Sequence, residues 1–171
     1  MLDFKKYSSK VYKIIGAAME VHRQMKYGLE EPVYNECLSM ELEDRGIKNV
    51  PEEKLPVYYK GKLLKKYYRM DIVVDDIVVE LKSVKQLIPA HRAQLFNYLR
   101  ITKKPVGILI NFGAESLQGE RYAYIEETNQ CVLLDKEMNL LYEEDVDWNY
   151  DEDDEDFDII AEKNKWIWID S

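Results

Sequence analysis

The chain has 171 residues, 46% of them hydrophobic, which fits one domain of ordinary size with a real core. Its net charge of −9 is uneven: residues 1–142 hold 22 Lys/Arg against 20 Asp/Glu, whereas residues 143–171 hold 2 against 13. An acidic chain normally argues against nucleic-acid binding, but here that exclusion applies to the last 29 residues and not to the rest.

Residues 8–26 have helical spacing, with Val11, Ile14, Ile15, Ala18, Val21, His22 and Met25 on one stripe and Ser8 or Ser9 as the cap. Gly28 breaks the pattern. A second helix fits about 30–45, with Pro32 in its first turn, Val33, Cys37, Met40 and Leu42 toward its apolar side, and Gly46 at its end. Leu55–Tyr59 predicts a strand, Lys60-Gly61-Lys62 a turn, Leu63–Val74 a long second strand and Ile77–Ser83 a third. Pro89 opens a helix through about Ile101. Val106–Phe112 is an uninterrupted apolar run, as in a strand buried on both faces. Tyr122–Glu126, Cys131–Leu134 and Leu140–Tyr142 predict short strands. The order gives an α/β domain with a central mixed sheet flanked by helices over residues 1–142.

Residues 143–158 carry eleven acids and no base, the composition of a solvated, flexible linker. The apolar Trp166–Ile169 that follows is expected to dock on this domain or on a protein partner. Cys37 and Cys131 are too few and too far apart for a structural zinc site, and two buried free thiols are expected. Residues 1–7 lack a signal-peptide core, and no apolar run approaches ~20 residues, so a soluble intracellular protein without a membrane partner is expected, in the cytoplasm or the nucleoid or nucleus.

The segment with most chemical content is Asp71–Lys82. Two β-branched runs flank Asp75-Asp76, and a two-residue turn there pairs Val74 with Ile77, Val73 with Val78, Ile72 with Val79 and Asp71 with Glu80. Directly opposed residues have Cβ atoms about 4.5–5.5 Å apart, so the two carboxylates repel unless a cation lies between them. Asp71, Glu80 and the Leu81 backbone carbonyl would supply oxygens to Mg²⁺, with Mn²⁺ as a substitute. Strand periodicity returns Lys82 to the same face as Glu80, where an ammonium can position a water or offset phosphate charge. Taken alone, a Glu-x-Lys on a strand is commonplace; opposed to Asp71 in an apolar strand, it calls for a reason.

Gln94 and Tyr98 are four apart on the helix that follows, and share one face with each other. His91 lies near Gln94, where a substrate contact is open but a bland role is preferred. In the same register Arg69 falls opposite Lys82. With Lys65, Lys66 and Arg92 it offers a basic rim for a phosphate backbone, against the ordinary reading of solvated cations. The thirteen tyrosines suit base stacking, although strand propensity is the preferred explanation.

The run Ala17–His22 and the pattern Gly28-x-x-Glu31-x-x-Tyr34 resemble the GxxExxY family, within the PD-(D/E)xK nuclease superfamily. The resemblance continues through Leu55–Gly61, Asp71, Glu80-Leu81-Lys82, Gln94-x-x-x-Tyr98 and Gly107–Gly113, and covers about residues 10–125. It departs at Lys26-Tyr27-Gly28, where a Gly-Pro-Gly-like turn is expected, and at Glu30, where an apolar residue is usual. The second departure leaves open which of Glu30 and Glu31 faces the site. The resemblance implies a restriction-endonuclease-like core and a catalytic set of Asp71, Glu80 and Lys82. It also implies Glu31 as an additional acid toward the metal, and Gln94 and Tyr98 as supporting or substrate-binding residues. The implied activity is metal-dependent hydrolysis of nucleic acid, DNA favoured over RNA; a homodimer is compatible with it. The competing reading is an inactive nuclease-fold module that binds nucleic acid or protein, its acidic tail acting as a nucleic-acid mimic or autoinhibitor.

Overall fold

The structure, a computed structural model, describes residues 3–141 and 166–168. A short 3₁₀ turn at Lys5–Tyr7 leads into helix α1 (Ser8–Met25), which starts without the expected serine cap. Val11, Ile14, Ile15, Ala18, Val21 and His22 of its stripe are buried, while Met25 at its end is exposed. Helix α2 (Glu31–Asp44) buries Tyr34, Leu38 and Leu42, spaced four apart, and exposes Val33 and Met40. Its apolar face is therefore rotated from the expected one, because the i, i+4, i+8 row is the one that meets the sheet.

Strands β1 (Val50–Tyr59), β2 (Lys62–Val74) and β3 (Ile77–Lys82) form an antiparallel meander. Helix α3 (Pro89–Thr102) crosses to β4 (Val106–Asn111), which lies parallel to β3. Strands β5 (Leu117–Ile125) and β6 (Gln130–Leu134) add antiparallel neighbours, giving the order β1-β2-β3-β4-β5-β6. Strand β5 starts earlier than its sequence signal, and the expected strand at Leu140–Tyr142 is a single bridge from Leu140 to Leu134. A seventh strand, β7 (Trp166–Trp168), pairs with Leu117–Gly119 of β5, along the stretch that β6 leaves open. A covered edge offers no template for another chain. The acidic run 143–158 lies outside the described residues.

The sheet separates two apolar layers. On one face Ile72, Val74, Val79 and Leu81 pack with α1 and α2; on the other, Val73, Val78 and Leu109 pack with Leu95, Phe96 and Leu99 of α3. All of β4 is buried, as its apolar run requires. Among the described residues, Cys131 is buried and Cys37 half-buried, both as free thiols. No helix among the described residues is long and apolar enough to cross a membrane.

The ends of β3 and β4 are tied together. Asn111, fully buried, accepts from the Val84 and Gly113 amides at 3.0 Å each and donates to the Val84 carbonyl at 2.9 Å. The Phe112 amide donates to the Lys82 carbonyl at 2.8 Å. The two segments approach so closely that a Cβ on Gly113 would collide with the Val84 backbone nitrogen and carbonyl oxygen. Gly113→Ala is therefore expected to cost about 3 kcal/mol or more in urea unfolding; a loss below 1 kcal/mol would contradict this close approach.

Candidate active site

The register expected for β2 and β3 is the observed one: Val74 pairs with Ile77, Val73 with Val78 and Ile72 with Val79. The ladder then stops. At the next step the Leu81 amide donates to Asp71 Oδ2 at 2.7 Å, so a carboxylate takes the place of a backbone acceptor. The freed Asp71 carbonyl accepts from Asn35 Nδ2 of α2 at 3.2 Å. Side-chain alternation also slips here, since Met70 and Val73 share the α3 face while Ile72 points to the other.

Around this break the carboxylates of Glu31, Asp71 and Glu80 converge, with one oxygen from each within 4.8 Å of the others. Glu31, rather than the exposed Glu30, is the acid that reaches the pair, so α2 delivers a group from the layer opposite α3. Its placement depends on the preceding loop. Gly28 adopts φ 98°, a region that side-chain-bearing residues avoid. The Tyr34 hydroxyl donates to the Lys26 carbonyl at 2.6 Å and accepts from the Leu29 amide at 3.2 Å. The Tyr34 ring stacks on Phe112 at 4.7 Å, and Ser83 Oγ donates to the Leu29 carbonyl at 2.6 Å. The Gly28-x-x-Glu31-x-x-Tyr34 spacing thus has a physical content: turn, carboxylate and staple.

Burial is the first cause of the electrostatics. It pushes the Glu80 carboxyl well above its usual range, and the Asp71 charge and a hydrogen bond shared with Asp71 add to the shift. Asp71 is raised by burial, against hydrogen bonds from Glu80 and the Leu81 amide that lower it. Glu31 is raised by burial and then by the Asp71 charge. One oxygen of Glu80, Oε2, is buried without a hydrogen-bond partner. Three crowded acids with an orphaned carboxylate oxygen fit a hard divalent cation, which takes oxygen ligands. Leu81 lies between Glu80 and Lys82, itself buried, with its amide held by Asp71.

Lys82 Nζ lies 3.8 Å from Glu80 Oε1 and donates to Gln94 Oε1 at 2.7 Å. Because an ammonium can only donate, Gln94 must present its oxygen to Lys82 and its amide nitrogen to Tyr98, whose hydroxyl it reaches at 2.9 Å. Burial and the nearby Glu80 charge push the Tyr98 hydroxyl up to about 12, so it stays protonated at neutral pH. Gln94 and Tyr98 are therefore linked to the carboxylates through Lys82.

The other expected residues differ in where they stand, and His91 is close enough to Lys82 to feel its charge. Arg69 has no partner in β3; its Cα pairs with Lys54 of β1, and its guanidinium donates to the Glu52 carbonyl at 3.4 Å and lies over the Tyr67 ring. Arg92 is not on a rim: it is buried and bonds Glu120, also buried, at 2.8 Å. His91 Nδ1 accepts from the Ile88 amide at 3.1 Å, closing the start of α3. Burial and the Lys82 charge lower its pKa. His22 packs in the core with Nε2 2.9 Å from the Ala114 carbonyl, as a packing histidine should.

Two contributors escaped the sequence. Asn35, four residues after Glu31, carries no signal beyond being polar on a buried helix face. Glu52 falls between the pairs Pro51–Ile72 and Glu53–Met70, opposite Asp71, adopts φ 50° and raises the Asp71 carboxyl by its charge. The long β1 needed to see it was not evident from Leu55–Tyr59.

A family model described as the PD-(D/E)XK nuclease superfamily matches residues 8–122. No curated protein and no solved structure matches the chain.

The shifts have a sign. A carboxyl raised in the folded state contributes stability that is present below its unfolded pKa of about 4 and is lost as pH rises through the folded value. All three carboxyls are raised. Without divalent ions, Glu80→Gln is therefore expected to stabilise the protein at pH 8 by about 1–2 kcal/mol. It should also flatten the gain in Tm expected of wild type as the pH is lowered from 8 toward the unfolded carboxyl pKa of about 4. Parallel thermal melts check this, and identical pH profiles for the two proteins would contradict it.

Proposed function

The chain belongs to the PD-(D/E)XK nuclease superfamily, a superfamily of phosphodiester hydrolases, and we propose that it is itself an active metal-dependent nuclease, with DNA the favoured substrate. Within the superfamily, the Gly28, Glu31 and Tyr34 loop supports placing it in the GxxExxY branch. The observation that carries the reading is the convergence of Glu31, Asp71 and Glu80 beside a lysine held in one orientation. A tolerated surface repulsion would have left Glu80 in solvent; instead it is 1% exposed.

Glu31, Asp71, Glu80 and the Leu81 carbonyl would hold Mg²⁺ or Mn²⁺. Such an ion supplies a water acidic enough to attack at neutral pH and charge to neutralise the scissile phosphate. The remaining work falls to the chain. The Leu81 amide fixes the Asp71 carboxylate, and Asn35 fixes the backbone behind it. Lys82 Nζ donates toward the attacking water and the phosphate oxygens, where negative charge grows in the transition state. Gln94 keeps the ammonium aimed, because its own amide is fixed by Tyr98. Burial of this relay limits competing water and strengthens each charge interaction.

Purified wild type is expected to cleave DNA in Mg²⁺ or Mn²⁺ and to stop when the ion is chelated. Asp71→Asn and Lys82→Met should each lower the cleavage rate by roughly 10³-fold or more, with melting temperatures retained. Assays on labelled DNA and RNA check this. Equal trace cleavage by wild type and both variants would overturn the enzymatic reading.

A further inference from the structure

The hairpin joining β1 to β2 outruns the domain. Strand β3 pairs with β2 only from Ile72 onward, so among the described residues Lys62–Arg69 have β1 as their one ladder neighbour. Every residue from Lys62 to Arg69 is exposed, on both faces of the ribbon. A two-stranded ribbon without a covering layer is marginally stable, so its composition needs another explanation.

That composition is one-sided. Residues 54–69 hold six Lys/Arg and no Asp/Glu. Interleaved with them are exposed apolar groups: Tyr58 at 61%, Tyr59 at 63% and Leu63 at 64%, with Tyr67 and Tyr68 nearer 40%. Lys60 lies over the Tyr59 ring, Lys66 over Tyr68, and Lys54 and Arg69 over Tyr67, yet strand propensity does not account for rings that keep this much of their surface open.

The ribbon is also continuous with the site. The Tyr68 ring lies 6.0 Å from that of Tyr98, whose hydroxyl bonds Gln94 and through it Lys82. Leu55 and Met70 pack in the α3 layer beside them, and Asp71 follows directly in the chain. A polymer lying along the ribbon therefore leads into the carboxylates.

We propose that residues 54–69 form an arm that grips an unpaired strand of nucleic acid and feeds it to the site, making single-stranded or frayed substrate the preferred class. Lysines meet the phosphates, and the tyrosine rings stack on bases. A closed duplex presents phosphates but hides its base faces, so the exposed rings would gain nothing from it. Stacking on an aromatic side chain is worth about 1–3 kcal/mol per base, and unpaired strands are bound by this combination of rings and positive charge. The inference rests on reading the site as a nuclease, yet it is tested without catalysis.

The full chain is titrated, in EDTA, against a fluorescein-labelled 20-nucleotide DNA strand and against the same strand in a duplex, by anisotropy over a range of salt. The strand should bind about ten-fold or more tighter than the duplex. Tyr58→Ala/Tyr59→Ala should lose about ten-fold on the strand and little on the duplex, while Tyr58→Phe/Tyr59→Phe, which keeps the rings, should bind like wild type. Lys62→Ala/Lys65→Ala/Lys66→Ala should lower the slope of log K against log salt by about 2. These side chains are exposed, and matching circular dichroism and melts establish that the variants fold. Duplex preference, or equal strand affinity in the Tyr→Ala variant, overturns the arm. So does a self-association that the tyrosines support while DNA binding is unchanged. If these binding differences hold but no metal-dependent cleavage is found, the nuclease reading fails and the arm stands. If cleavage occurs with KM unaltered in the arm variants, the arm fails and the nuclease reading stands.

Discussion

The hydrogen bond from the Leu81 amide to Asp71 Oδ2 is the constraint on which the rest depends. A β-ladder ordinarily closes each amide on a backbone carbonyl. Here a side chain takes that place, and the β2–β3 pairing ends at Ile72–Val79. The Asp71 carbonyl turns instead to Asn35, which fastens α2 to the sheet. Beside this break Glu31 brings a third carboxylate to Asp71 and Glu80 from the opposite layer. Asn111 then secures the chain beyond Lys82, so Glu80 and Lys82 are gripped from both ends of their strand.

That arrangement opposes stability locally. Glu80 is buried with an unpartnered oxygen, and Lys82 at 3.8 Å is the nearest cation in a cluster of three acids. The core on both faces of β3 tolerates it because Val78, Val79 and Leu81 are fully buried around it. Lys82 is itself committed to Gln94, which leaves the Glu80 charge only partly offset. Such a cluster fits the oxygen-ligand preference of a hard cation.

The sequence made the hairpin legible because two constraints agreed: β-branched residues with a period of two, and an acidic turn of the right length, where Asp75 adopts φ 51°. The helix pair Gln94 and Tyr98 was legible for the same reason, as residues four apart face one another. The reading of Arg69 failed because it extended the ladder past the point where Asp71 breaks it, and no propensity reports a carboxylate replacing a carbonyl. Arg92 was misplaced because its partner Glu120 is 28 residues away, and a buried ion pair across that distance leaves no local pattern. The α2 stripe was misjudged because Val33 and Met40 are as apolar as Leu38 and Leu42; only packing chooses among them. The exposure of the ribbon tyrosines is not written in composition, and strand propensity alone does not report it.

The central claim is that Glu31, Asp71 and Glu80 form a cation site in which burial biases the carboxyls toward their protonated forms until an ion arrives. Calorimetric titration of Mn²⁺ into the protein at pH 6.5, in buffers of different ionisation enthalpy, counts the protons released per ion bound. The account predicts one bound ion with net proton release, and loss of both in Glu80→Gln. Binding with no proton release, or binding that persists unchanged in Glu80→Gln, would contradict it.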